Sequence, residues 1–339
     1  MNAIILRELG AADRLRLEQV TDPTPGPGQA VVRLRAAALN RRDAWIRHGQ
    51  YAGIRLPIIL GSDGAGVVEA IGTGVGAGWV GQSVVINPSL DWGDNPRAQG
   101  PAFHILGLPD DGTYAERVVV PASSLFAKPA ALSWAHAAAI PLAGLTAYRA
   151  VVSRAAVAAG DTVVVTGIGG GVATFALLLA HHLGARVFVT SGSDDKLARA
   201  MEHGAAGGVN YHDDGWHKAL QTLSDGGPDV IVDSAGRDAL PALIDVARPG
   251  ARIVTVGATT GSPTTVEVRR IFWKQLSILG TTMGTPEEFG AMLALFDGTS
   301  LTPVVDRVFP LAEAAAAHQR MDDTGQFGKI VLAIAESRA

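Results

Sequence analysis

The sequence predicts an α/β fold in two domains, a doubly wound parallel sheet joined to a smaller β-rich domain. Three observations carry that prediction. The chain has 339 residues, more than one ordinary hydrophobic core accommodates. From Thr162 onward, short Val/Ile-rich segments alternate with helical ones, the spacing of βα units. The first third instead offers short apolar segments broken by Gly and Pro, as in a small barrel or sandwich.

In the first third, Ala30–Ala38 alternates at its start and follows the breaker-rich Asp22–Gln29. Gly64–Ala70, Gln82–Ile86 and Ala115–Val120 are further strand candidates. Asn87–Gly112 is rich in Pro, Gly and Asp without periodicity, which predicts a surface lobe. Ser133–Ser153 is Ala-rich and reads as a helix capped by Ser133. Strands are then expected over Thr162–Thr166, Arg186–Thr190, Gly208–Tyr211, Val230–Asp233, Arg252–Val256 and Leu276–Thr281. The intervening helices are Val172–Leu183, Asp194–His203, Trp216–Leu223 and Leu240–Ala247. Val172–Leu183 is apolar nearly all round and should be buried on both faces. Strands Pro303–Phe309 and Lys329–Ile334 bracket a helix, Leu311–Met321, in a tail expected to rejoin the first domain. The expected division is 1–125 with 301–339 for the β-rich domain, and 126–300 for the parallel sheet.

Composition narrows the function. The chain is 47% hydrophobic and 18% charged, as packed globular proteins are. A net charge of −4 offers no general attraction to nucleic acid or to anionic membranes, so neither is an expected partner. The opening MNAIILRELG lacks the layout of a signal peptide, and the longest apolar stretch, Val172–Ala180, is too short to cross a bilayer, so a cytoplasmic protein is expected. There is no cysteine, which excludes disulfides, thiol catalysis and thiolate metal sites. Nine histidines remain, with no HxH or HxxxH spacing, and no metal site is expected.

Strand Thr162–Thr166 runs straight into Gly167-Ile168-Gly169-Gly170-Gly171-Val172 and then a helix. A dinucleotide site requires this order: a tight turn, a close backbone approach to the pyrophosphate, and amides at a helix N-terminus. With further βα units following, the pattern predicts a Rossmann domain. NAD enzymes of this fold usually place an acid about 20 residues on, for the ribose 2′-hydroxyl. Here no Asp or Glu occurs between Gly167 and Ser193. The second strand ends instead in Thr190-Ser191-Gly192-Ser193-Asp194-Asp195-Lys196, whose hydroxyls and lysine suit a 2′-phosphate, so NADPH is the expected cofactor. Ser193 can also cap the next helix, and capping would fix where Ser193 and Lys196 point.

Six segments then carry a family resemblance across nearly the whole chain: LNRRDAWIRHGQY (Leu39–Tyr51), PIILGSDGAGVVEAIG (Pro57–Gly72), GTYAE (Gly112–Glu116), PLAGLTAYRAV (Pro141–Val151), the glycine turn, and FGKIVL (Phe327–Leu332). The sequence resembles the medium-chain dehydrogenase/reductase superfamily. That resemblance implies a GroES-like substrate domain, split in sequence, and an active site in a cleft beside the Rossmann domain. It also exposes departures. The positions of the catalytic zinc ligands correspond to Asn40, Ser62 and Leu142, none a ligand, and the structural zinc loop corresponds to the cysteine-free Asn87–Gly112. The pattern resembles the zinc-free, quinone oxidoreductase-like branch, whose usual cofactor is NADPH. There a Ser, a Lys and a downstream Tyr grip the 2′-phosphate, and they correspond to Ser193, Lys196 and Tyr211. Thr146, Ser191, Gly257 and Lys329 complete the expected cofactor-binding set with Asn40, Gly167, Gly169, Gly170, Gly171 and Val172.

Without a metal, deprotonating an alcohol is difficult, because zinc lowers the pKa of bound water from about 15.7 to about 7. No tyrosine has a lysine four residues later to substitute. Quinones, enones and enals escape the difficulty, since their reacting carbon is already electrophilic and hydrogen-bond donors can stabilise the resulting oxyanion. A small carbonyl or quinone substrate is therefore expected. Asn40 is the candidate for orienting the nicotinamide or polarising the carbonyl, and Tyr51 for donating its hydroxyl. Asp43 and Lys329 read as a buried pair tying the tail to the cleft. Arg42 stands where the zinc enzymes carry a proton-relay hydroxyl. Two alternatives stay open: a zinc-free alcohol or aldehyde reductase, and a non-catalytic NADPH-binding sensor. Finally, Leu276–Thr281 should be the sixth strand at a sheet edge, with no Lys, Glu or Pro to block pairing. Relatives commonly join two such edges, so a homodimer through this strand is expected, unless Gly284–Gly298 covers it.

Overall fold

A computed structural model describes residues 1–335. The last four positions of the expected 301–339 segment lie outside the described residues. By internal contacts the chain forms two units, Met1–Leu145 with Gly284–Ala339, and Thr146–Met283.

The first unit opens with β1 (Asn2–Leu6) and β2 (Leu15–Gln19), an antiparallel pair that the sequence reading does not anticipate. There follow β3 (Gln29–Ala38), helix α1 (Arg41–Arg47), β4 (Ile58–Ile59), β5 (Asp63–Ile71), β6 (Ser83–Ile86), β7 (Ser89–Leu90), β8 (His104–Ile105), β9 (Arg117–Pro121) and β10 (Leu125–Ala127). The single Ala-rich helix expected over Ser133–Ser153 is three pieces: α2 (Trp134–Ala139), α3 (Pro141–Tyr148) and a π-helical turn, Arg149–Arg154. Pro141 explains the first break, because proline clashes with the preceding helical turn and donates no hydrogen bond.

The second unit carries strict alternation: β11 (Thr162–Val165), α4 (Gly171–His182), β12 (Arg186–Ser191), α5 (Asp194–Glu202), β13 (Ala205–Asn210), α6 (Trp216–Leu223), β14 (Val230–Asp233), α7 (Ala239–Val246), β15 (Arg252–Thr255), α8 (Val268–Trp273) and β16 (Ser277–Gly280). All neighbours pair in parallel, in the order β13-β12-β11-β14-β15-β16. That is the 3-2-1-4-5-6 order of the Rossmann fold. β11 and β14 are buried throughout, as strands covered on both faces must be. β16 ends the sheet, and its Ile278 remains 39% exposed.

The chain then returns to the first unit through α9 (Pro286–Gly298), β17 (Val305–Pro310), α10 (Ala314–Asp322) and β18 (Lys329–Ala333). β17 pairs with β18, and β18 with β3, closing a seven-stranded sheet of order β10-β6-β5-β3-β18-β17, with β9 also on β3. Its core joins Leu34, Ile46, Leu60, Ile86, Leu332 and their neighbours. The expected divisions at 125/126 and 300/301 differ from the observed ones at 145/146 and 283/284. Packing is the reason. Phe289 of α9 meets Phe126 edge-on at 4.9 Å, and Asp297 accepts the Ala130 N–H at 3.0 Å. The Asn87–Gly112 segment is not wholly a surface lobe either: Leu90, Leu106 and Leu108 enter the core of this unit.

Candidate active site

In the first unit the candidate residues gather where α1 leaves β3. Leu39 ends the extended run and Asn40 starts the helix, its N–H donating to Asp43 Oδ2 at 2.8 Å. Asp43 thus caps its own helix and also accepts the Tyr114 hydroxyl at 2.8 Å. This corrects the expected Asp43–Lys329 pair. Asp43 is held at the helix start, whereas Lys329, entering from β18, meets Asp63 at the start of β5. Lys329 Nζ donates to Asp63 Oδ2 (2.8 Å), Asn40 Oδ1 (2.6 Å) and the Leu39 carbonyl (2.6 Å), which occupies all its hydrogens. Asn40 Nδ2 donates to the same Asp63 oxygen at 2.9 Å, and the Leu142 N–H to the other at 2.8 Å. Both faces of the Asn40 amide are thereby assigned, with one Nδ2 hydrogen left over.

Burial shapes the electrostatics. Asp43 is fully buried, and desolvation pushes its pKa up despite the nearby Arg42 charge and its hydrogen bonds from Asn40 and Tyr114. Tyr114 is raised in turn, first by burial and then by Asp43. Arg42 turns to Ser62, donating to its Oγ at 2.7 Å and to the Leu106 carbonyl at 2.9 Å. The Tyr51 ring lies against the Arg42 guanidinium, 5.1 Å from centroid to Cζ.

In the second unit the expected cofactor residues, Thr146 on α3 apart, follow the carboxyl ends of the parallel strands, where open α/β sheets bind ligands. Gly167 turns with φ +65°, a conformation glycine adopts without penalty, and its N–H donates to Thr190 Oγ1 at 3.3 Å. Ile168 N–H donates to the Thr190 carbonyl at 2.8 Å, tying the turn to β12. Helix α4 begins at Gly171 with no side chain capping it, which leaves its first amides for a ligand such as a pyrophosphate. At the end of β12, Ser193 caps α5 by accepting the Lys196 N–H at 3.4 Å, and Ser191 Oγ accepts the Ser193 N–H at 3.2 Å. Tyr211 returns over this loop. A Cβ on Gly192 would lie 2.8 Å from the Tyr211 hydroxyl oxygen and 2.7 Å from His212 Nε2, so the two side chains would have to shift to admit one. Ser191, Ser193, Lys196 and Tyr211 therefore share one corner. Gly257 follows β15. Thr146 is buried and donates to Met283 Sδ at 3.8 Å.

Sequence reading missed several residues of these sites. Asp63 and Tyr114 lay inside quoted motifs, GSDGAG and GTYAE, without an assigned role. Thr166, Asp233 and Ser234 were also missed. Asp233 accepts from Thr166 Oγ1 (2.8 Å) and from the Ala235 and Gly236 N–H groups (3.0 and 3.1 Å), and Ser234 N–H donates to Thr166 Oγ1 at 2.9 Å. This brace locks the loop after β14 to the residue preceding the glycine turn. The available signal was Asp233-Ser234-Ala235-Gly236 directly after an apolar strand, a turn in which Asp bonds the backbone ahead of it.

Known proteins share this architecture. The family model for the alcohol dehydrogenase GroES-like domain matches residues 26–130, and that for zinc-binding dehydrogenases matches 171–298. A zinc-type alcohol dehydrogenase-like protein, YogA, of Leptosphaeria maculans is 34% identical over 94% of each chain. A quinone oxidoreductase of Pseudomonas aeruginosa is 30% identical, over 95% of this chain and 96% of its own. The chain belongs to the medium-chain dehydrogenase/reductase superfamily. Within that superfamily it is quinone oxidoreductase-like, and its first unit contains the GroES-like domain matched over residues 26–130. The crystal structure of an NAD-dependent alcohol dehydrogenase superposes with a TM-score of 0.93 at 40% identity, covering 99% of this chain and all of that one. The protein is thus an oxidoreductase of this superfamily. Among the described residues, no group of three or more His, Asp or Glu side chains stands ready to hold a metal, and no helix is long and apolar enough to cross a membrane.

Proposed function

We propose that this protein is a zinc-independent, NADPH-dependent oxidoreductase that reduces an activated acceptor: a quinone, enone or enal. The observation that carries this reading is what occupies the positions corresponding to the zinc ligands. Asn40 is tied to Lys329 and Asp63, and Ser62 accepts from a guanidinium, a neighbour that repels a metal cation. A nicotinamide dinucleotide fits the second unit by the same kind of test. The uncapped start of α4 and the positive-φ turn at Gly167 form a backbone cradle for a pyrophosphate.

When bound, the reduced nicotinamide supplies hydride. The chain's own residues do the rest. Gly167, Gly169, Gly170, Gly171 and Val172 hold the pyrophosphate with backbone amides, alongside Gly257. Ser193, Lys196 and Tyr211 hold the 2′-phosphate, on a loop that Ser191 braces. Asn40, locked by Lys329, presents its remaining Nδ2 hydrogen toward a carbonyl. Tyr51 offers a hydroxyl that makes no hydrogen bond to the described residues.

A second reading, an NAD-dependent alcohol dehydrogenase, is favoured by the name of the structural relative at 40% identity. One set of assays separates the two. NADPH oxidation with a panel of quinones, enones and enals is expected, with no stoichiometric zinc by elemental analysis and no loss of activity on chelation. Alcohol oxidation with NAD, or one tightly bound zinc per chain, would instead establish the second reading. Steady binding of NADPH without turnover of any acceptor would leave only a sensor.

A further inference from the structure

Arg42 is a buried cation that touches no carboxylate. The residue is 6% exposed, and its guanidinium is a fork of N–H donors with no acceptor of its own. Its Nη1 bonds only to uncharged acceptors, Ser62 Oγ and the Leu106 carbonyl. Nε is buried without a partner, and Nη2 donates to no acceptor among the described residues. Neither neighbouring carboxylate forms an ion pair or hydrogen bond with Arg42 among the described residues. Asp63 is paired with Lys329. Asp43 accepts the Asn40 N–H and the Tyr114 hydroxyl on Oδ2 alone, its buried Oδ1 has no hydrogen-bond partner, and it acts on Arg42 only through space while burial pushes it toward its neutral form. A buried charge without a contacting counter-charge is strongly disfavoured, and such charges persist where a ligand supplies the partner. The guanidinium carbon lies over the Tyr51 ring, 5.1 Å from its centroid, so the N–H groups without an acceptor, on Nε and Nη2, are those left for a ligand.

We propose that Arg42 is the oxyanion contact of the acceptor site: its guanidinium edge binds the acceptor's oxygen and holds it as the anion of an enol or a hydroquinone. The geometry assigns each neighbour a part. Ser62 and the Leu106 carbonyl hold the guanidinium through Nη1, and the Tyr51 ring lies beside it. The catalytic meaning rests on the quinone or enone reading above, because reduction of those acceptors places negative charge on oxygen before a solvent proton neutralises it. The binding claim stands without turnover.

The test uses 4-nitrophenol, whose anion absorbs visible light and whose neutral form does not, added to protein saturated with NADP. In the wild type the bound probe is expected to ionise about one pH unit or more below the free probe, because an adjacent cation favours the anion. Arg42→Gln should bind the anion about tenfold more weakly and abolish the shift, and Arg42→Lys should restore part of it. Thermal unfolding of each variant verifies that it is folded. If Arg42→Gln does not fold, the wild-type titration alone decides: a probe that does not bind, or binds with unshifted ionisation, overturns the assignment. Benzoate binding more tightly than the phenolate would also overturn it, by making the site one for carboxylates. Turnover provides an independent arm. Arg42→Gln should lower kcat about 100-fold while KM changes less than about threefold. If the wild type reduces no quinone or enone, the proposed function fails while the probe result still decides the role of Arg42.

Discussion

Lys329 and Asp63 meet at 2.8 Å inside the GroES-like unit, both buried, and between them they set the orientation of the Asn40 amide. The pair joins β18, near the end of the chain, to β5 in its first third. Its two members respond differently to removal one at a time and together. Lys329→Met would leave the Asp63 carboxylate buried without its cation, which costs about 3–5 kcal/mol. Replacing both, as Lys329→Met with Asp63→Leu, should cost clearly less than the two single changes added. Denaturant unfolding of the two single variants and the double variant measures this directly. Additive losses would show that the residues do not act as a pair.

A second buried group makes stability depend on pH. His318 lies fully buried between Arg47 and the edge of Tyr114, and its Nδ1 accepts from Arg47 Nε at 3.4 Å. Burial first, then the Arg47 charge and His48, lower its pKa to about 3 from the ordinary 6.5. The unfolded chain therefore binds a proton that the folded chain refuses throughout that window. Stability is present in full above the unfolded value and falls as pH drops toward about 3. Between pH 7 and pH 4.5 this group should remove about 2–3 kcal/mol. His318→Gln is expected to flatten that part of the profile. Urea midpoints at the two pH values, wild type against variant, check it, and parallel profiles would assign the acid loss to other groups.

How far the sequence reaches depends on the range of the interaction involved. The Rossmann strands were legible because each βα unit is local: Val230–Asp233 and Trp216–Leu223 match the expected spans residue for residue. The glycine turn was legible for the same reason. The partner of Lys329 was not, because both carboxylates, Asp43 and Asp63, precede it by more than 250 positions and only the closure of β18 on β3 selects between them. The first strand was missed because Asn2–Leu6 is a short apolar run with no alternation to mark it. The tail-to-front pairing also explains why α9 counts with the GroES-like unit: its apolar side, including Phe289, meets Phe126, and no local pattern records that meeting.

The cofactor corner yields a prediction about discrimination. Lys196 follows the Ser193 cap by three residues, so the start of α5 fixes its backbone beside the loop crossed by Tyr211. If the lysine reads the 2′-phosphate, Lys196→Ala removes a charge-assisted hydrogen bond that only NADPH makes. Affinity for NADPH should fall about tenfold or more, with NADH binding changed little. Calorimetric titration of both dinucleotides is the measurement. Equal losses would mean that Lys196 supports the loop rather than the phosphate, and tighter binding of NADH by the wild type would reverse the cofactor assignment itself.

The remaining prediction concerns assembly. β16 ends the Rossmann sheet with no strand paired to its outer side among the described residues. Ile278 on it is 39% exposed, and the helix just before it, α8, exposes Val268 (63%), Phe272 (63%) and Trp273 (80%). An apolar edge beside three exposed apolar side chains is what a monomer normally avoids, by charge, by proline or by cover. We propose that a second copy supplies the cover, with two β16 edges pairing across a two-fold axis so that the same patch serves both sides. Light scattering at micromolar concentration should then give twice the chain mass. Ile278→Lys should return the monomer mass, because it forces a charge into the seam, and Trp273→Ser should weaken the dimer without blocking the edge. A wild-type monomer would reject the proposal. A dimer unaffected by both substitutions would place the interface on another surface.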